Sequence, residues 1–180
     1  GQGFAMATGM AHGEAYLRNI FSRSSIKASR LVDHYTYVLA SDGDLQEPVA
    51  LGTASLAGHL ALSKLIVFYD ANKAQISGHT NRSDSTDYKK IFDGFNWHVQ
   101  EIDGNNIESI IDSLSMARAI SNQPSVIIAH TVPGKGVSFM EYDYHWHGGA
   151  VGVGVPNHDQ AKRALHDLRT LKGKIKGEHE

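Results

Sequence analysis

The 180-residue sequence contains no cysteine. Disulfide staples and thiolate chemistry are therefore excluded, and a cytoplasmic location is the expectation. No sign of charge dominates either: 17 Lys and Arg stand against 19 Asp and Glu, a formal net charge of −2, with the two signs interspersed. The basic stripe that nucleic acid would require is missing. No apolar run approaches the roughly 18 residues of a membrane helix, and no stretch has the charged, apolar, small-residue order of a secretory leader. Nucleic acid and membrane thus fall away as partners. The chain also lacks an opening Met. It begins at Gly1-Gln2-Gly3, already inside a glycine pattern, and the expectation is a fragment or a chain without its upstream segment.

What is present is enough apolar material for a core, 41% of residues, in a length that suits one domain. Four β-rich runs stand out: Tyr35 to Ala40, Lys64 to Asp70, Trp97 to Ile102 and Ser125 to His130. Helical patterns lie between them at about 45–62, 84–95 and 106–120. One helix precedes the first strand, Phe4 to Asn19, with Ala5, Ala7, Gly9 and Ala11 as its packed small residues. A last helix spans Asp159 to Leu171, with Ala161, Leu165 and Leu168 on one face. Strands separated by helices of this length need crossover connections. The fold class is α/β: a three-layer α/β/α domain around a mainly parallel sheet, over residues 1–155, followed by a C-terminal helix and charged tail over 156–180. In such sheets ligands bind beyond the carboxyl ends of the strands.

Two strand ends carry chemistry. Ser41-Asp42-Gly43-Asp44 follows the first strand and opens a helix. Asp42 would project at the strand's carboxyl end, and Gly43 would let the backbone approach a ligand closely. The helix beyond offers unpaired N–H groups that favour an anion. A carboxylate beside an anion calls for a cation between them, and Mg²⁺ suits, held by one or two protein oxygens plus phosphates and water. Taken alone, Asp42 is more simply a helix cap. The second end is Asp70-Ala71-Asn72. Asn72 lies one strand–helix–strand unit beyond Asp42, so both reach one edge of the sheet if the strands are neighbours. Taken alone, Asn72 is a turn residue. The pair together favours a metal and diphosphate site.

These stretches resemble the thiamine diphosphate signature, and within that superfamily the chain is most similar to transketolases. The likeness runs through GQGFAMATGMAHGEAYL, ASDGDLQEPVALGTASLAGHLALSKLIVFYDANKAQISGHT, FDGFNWHVQEIDGNN, HTVPGKG and HWHGG, roughly residues 1–150. It implies a thiamine diphosphate-binding fold and a two-carbon ketol transfer between sugar phosphates. It further implies that Asp42 and Asn72 ligate Mg²⁺, or Ca²⁺ in its place, with Ala74 adding a backbone carbonyl. Gly43 would lie against the diphosphate. His147 would stand near cofactor and substrate hydroxyls, and Glu47 near a dimer interface, linked to communication between active sites. The glutamate that activates the aminopyrimidine would come from a separate pyrimidine-binding domain or subunit, in a homo-oligomer or heterotetramer. This chain would then hold half a site and be inactive alone.

The sequence departs from the pattern at several points. Ser41 stands for the signature's first Gly, and Pro48 and Gly52 for the usual Gly and Glu. The last two also resemble the homodimeric pyruvate dehydrogenase of the same superfamily, so a 2-oxoacid decarboxylase is a second reading. A third is a non-catalytic fragment acting as a binding module. Of the 11 histidines, His147 and His79 merit attention; the others read as surface or packing residues. Lys135 lies between two glycines, near phosphate or in a solvated turn. Trp97 and Phe95 read as core.

Overall fold

A computed structural model describes residues 1–21, 31–152 and 158–174. The chain divides into two compact units, Gly1–Ala71 with Asp84–His130, and Asn72–Ser83 with Thr131–Glu180.

The first unit holds a four-stranded sheet made of β1 (Thr36–Ser41), β2 (Leu65–Ala71), β5 (His98–Asp103) and β6 (Ser125–His130), in the order β1-β2-β6-β5. Every pairing is parallel, with Ser41 opposite Asp70 and Asp70 opposite Ala129. The central strands β2 and β6 are apolar on both faces because both faces are covered. On one side Leu65, Val67 and Tyr69 of β2 join the main core with α1 (Gln2–Phe21), α3 (Pro48–His59) and α4 (Tyr88–Gly94). On the other side Ile66 and Phe68 meet Ala117 and Leu114 of α5 (Ile107–Ala119). The unit is thus the expected α/β/α arrangement. Among the described residues no helix is long and apolar enough to cross a membrane.

Several local expectations are corrected. The helix expected over 45–62 is two helices, α2 (Asp42–Leu45) and α3, broken at Gln46 and Glu47. Pro48 opens α3, where a missing N–H costs nothing. The helix expected from 84 begins at Tyr88. Asp87 caps it by accepting from Lys90 N at 3.2 Å, and Asp84 closes a turn on Thr86 N at 2.9 Å. In α1 the buried stripe is Phe4, Ala7, Thr8, Ala11 and Glu14; Gly9 is exposed, with open space where a Cβ would be. Trp97 is core as expected, 2% exposed, its Nε1 donating to Ala54 O at 2.9 Å.

The second unit contains a hairpin absent from the sequence reading, β3 (Ala74–Gln75) antiparallel to β4 (Gly78–His79). It also contains α6 (His158–Lys174). Among the described side chains of α6, Ala164 is buried, while Leu165 and Leu168 of the expected apolar face are about half exposed. The faces used instead carry Arg163, stacked over the Phe139 ring at 5.1 Å, and Asp167, which accepts from Ser138 N and Oγ at 2.9 and 2.7 Å.

Candidate cofactor site

Asp42 is not the helix cap. That position belongs to Ser41, which is extended at φ −114°, ψ 174°. The carboxylate that answers it is Asp44, whose Oδ2 accepts from Ser41 N and Ser41 Oγ, both at 2.9 Å. Asp42 is instead the first residue of α2, only 5% exposed. Its Oδ1 accepts a 2.6 Å hydrogen bond from Tyr69 Oη. Burial first, and then the Asp42 carboxylate, push the Tyr69 hydroxyl far above the ordinary range for tyrosine, so it stays a donor. A carboxylate is held inside the first unit, at the carboxyl end of its sheet.

Gly43 follows on the surface. Its φ is not in the left-handed region, and an added Cβ would meet only Ser41 Oγ, at 4.0 Å. Neither backbone strain nor packing within the chain demands glycine here. Its effect is to leave a bare stretch of backbone at the strand end. Glu47 is at the capping position of α3 with its side chain 57% exposed, and its Oε2 is 3.2 Å from the α-amino group of Gly1.

The remaining expected residues belong to the second unit. The turn expected at Asn72 is present: its Oδ1 accepts from Ala74 N at 2.9 Å. This bond fixes the amide oxygen. Lys73 adopts φ 61°, and its carbonyl accepts from Thr80 N at 3.1 Å, closing the hairpin. Ala74 is 2% exposed. The Ser77-Gly78 dipeptide is the signal that could have revealed this hairpin; Gly78 has φ 144°. His147 is exposed and ends the short 3₁₀ turn Tyr144–Trp146. The structure brings His79 to that same turn, its ring edge-on to Tyr144 at 5.3 Å. His145 is tied back to Asp143 Oδ1 by its own N–H at 3.0 Å and its Nδ1 at 2.6 Å. Lys135 is exposed in a turn, its N–H donating to Val132 O at 3.1 Å.

Asp42, Asn72 and the carbonyl of Ala74 are all hard oxygen donors, which suits Mg²⁺. Among the described residues no three His, Cys, Asp or Glu side chains gather into a metal cage.

Comparison with known proteins follows the same line. The family described as transketolase, thiamine diphosphate binding domain, matches residues 1–166. The transketolase of Bacillus subtilis (strain 168) is 44% identical over 137 residues, 76% of this chain and 20% of that protein. The solved transketolase from Leishmania mexicana has a TM-score of 0.72 at 40% identity, covering 77% of this chain and 20% of that one. A Pichia stipitis transketolase variant, solved in complex with xylulose 5-phosphate, has a TM-score of 0.73 at 31% identity and covers 78% of this chain and 21% of its own. The chain spans about a fifth of the length of these relatives.

Proposed function

We propose, for a chain that belongs to the transketolase family as its thiamine diphosphate-binding domain, that it holds the diphosphate and the metal in an enzyme moving a two-carbon ketol unit from a ketose phosphate to an aldose phosphate. Asp42 and Asn72 ligate Mg²⁺ by their side chains and Ala74 by its carbonyl; Ca²⁺ is the substitute ion. The backbone at Gly43 lies along the diphosphate. His147 hydrogen-bonds donor oxygens as charge develops on them. Glu47 belongs to the contact with a second subunit. Thiamine diphosphate, when bound, supplies the nucleophilic carbon and the electron sink; the residues here place and neutralise it.

One observation carries this reading. A buried carboxylate is costly unless something charged or hydrogen-bonded compensates it. Asp42 is 5% exposed, and the N-cap position beside it is taken by Ser41. Its burial is compensated in part by the Tyr69 hydroxyl; what supports a cation is its place, a carboxylate held at the carboxyl end of β1.

The activating glutamate belongs to a pyrimidine-binding domain or subunit, so the chain alone is inactive. The test is an assay of ketol transfer from xylulose 5-phosphate, run on the chain alone and after adding a subunit that bears a pyrimidine-binding domain. Activity is expected only in the mixture, with pyruvate consumed poorly. Transfer by the pure chain would overturn the half-site reading, and preference for pyruvate would overturn the substrate class.

A further inference from the structure

Within the second unit, His147 ends the 3₁₀ turn Tyr144–Trp146. The turn's own bonds, Trp146 N to Asp143 O at 3.2 Å and His147 N to Tyr144 O at 2.9 Å, fix its shape but not its direction. Direction comes from the rings on either side. Tyr144 meets His79 of the hairpin edge-on, and Trp146 meets Phe139 edge-on, with centroids 5.3 Å apart in each pair. Phe139 is held in turn by α6. The Arg163 guanidinium lies over its ring at 5.1 Å, and Asp167 Oδ2 accepts from Oγ and N of the adjoining Ser138, at 2.7 and 2.9 Å. Both donors favour the charged carboxyl and hold it below the usual carboxylate range. Arg163 and Asp167 stand one helical turn apart, so one face of a 17-residue helix grips two consecutive loop residues.

We infer that Arg163 and Asp167 are positioning residues: acting through Ser138, Phe139 and Trp146, they hold the turn that presents His147 to substrate. This rests on the reading of His147 as a residue that hydrogen-bonds donor oxygens. A bond aimed at developing charge is sensitive to direction, and a misplacement of about 1 Å, caused far from the chemistry, can cost about 100-fold. A helix that served only to cover apolar surface would bury its leucines. α6 instead leaves Leu165 and Leu168 about half exposed and turns a guanidinium and a carboxylate to the loop. A purely structural helix would alter stability wherever His147 points; a positioning helix acts only while His147 is there to be placed.

The first measurement is amide hydrogen exchange on the 180-residue chain. Asp167→Ala is expected to speed exchange at the Trp146 and His147 amides by about 3–10-fold, the loss of a hydrogen-bonded contact, with β2 and β6 unchanged. Arg163→Gln, which removes the cation over Phe139, should do the same by about 2–5-fold. Asp167→Asn keeps an acceptor oxygen and should restore most of the protection. Unchanged exchange in Asp167→Ala, or faster exchange spread evenly over the sheet, would overturn the grip. The second measurement is ketol transfer from xylulose 5-phosphate in the mixture with a subunit that bears a pyrimidine-binding domain. Asp167→Ala should lower kcat/KM by about 3–10-fold, matching the exchange, and leave the affinity for thiamine diphosphate unchanged. In a His147→Ala background the same substitution should lower it no further. An equal loss in both backgrounds would show a structural effect alone and overturn the positioning role. If His147→Ala by itself keeps full activity, or the wild-type mixture has none, the reading of the site has failed rather than the grip, which exchange judges separately, and the positioning role falls with that reading.

Discussion

At the scale of single residues, the charges inside the first unit matter as much as its apolar side chains. Glu14 is 2% exposed on α1, and Lys64, just before β2, is 8% exposed. Lys64 Nζ is 3.1 Å from Glu14 Oε1 and also pairs with Asp33, while Arg18 Nε approaches Glu14 at 3.4 Å. Removing one member of a buried pair leaves an uncompensated charge, typically at a cost of about 3–5 kcal/mol. Lys64→Met is therefore expected to lose stability at the lower end of that range, since Arg18 remains. Adding Glu14→Gln should recover much of the loss. Urea denaturation of the single and double variants checks this, and a single variant as stable as the wild type would contradict it. Nothing in the sequence marked these residues: Glu14 and Lys64 are far apart in the chain, and only the packing of α1 on the sheet joins them. Asp42 was legible as a candidate because it ends a strand. Its partner Tyr69 was not, because alternation along β2 assigns a face but not a hydrogen bond.

At the scale of elements, the four strands of the main sheet were legible to within a residue, since β2 and β6 are largely apolar on both faces and carry the β-branched Ile66, Val67, Val126, Ile127 and Ile128. Helix ends were less so. The break before α3 is written in Pro48, but the delayed start of α4 depends on Asp84 and Asp87 closing turns of their own. The close fit of α3 against the turn before β5 was not legible at all. A Cβ added at Gly58 would lie 1.8 Å from Phe95 O and 3.3 Å from Trp97 Cδ1. Backbone cannot yield as a flexible side chain can, so Gly58→Ala must separate the two elements. Overpacking of this kind commonly costs about 1–3 kcal/mol, and the expectation here is the upper end. The denaturation midpoint measures it; a change within about 0.5 kcal/mol, as at an ordinary surface site, would show that this contact is looser than described.

At the scale of the whole molecule, the proposed function gives the chain the diphosphate and metal half of a two-part site. Its sheet places β1 and β2 side by side and parallel, so both leave the sheet at the same end. The chain continues there into Asp42-Gly43 and into Asn72. The spacing of the two strand ends left open whether β1 and β2 are neighbours; their parallel pairing meets that condition. The hairpin that follows Asn72 was not foreseen, since two-residue strands leave almost no pattern. The roles assigned to His147 and Glu47 came from resemblance alone. His147 is an exposed residue at the end of the short turn whose Tyr144 ring meets His79. The most direct test of the central claim is calorimetric titration of thiamine diphosphate into the wild-type, Asp42→Ala and Asn72→Ala chains, with Mg²⁺ and with the metal chelated. The wild type should bind only with Mg²⁺, Asp42→Ala should lose that binding entirely, and Asn72→Ala should weaken it. Unchanged affinity in Asp42→Ala would contradict the account.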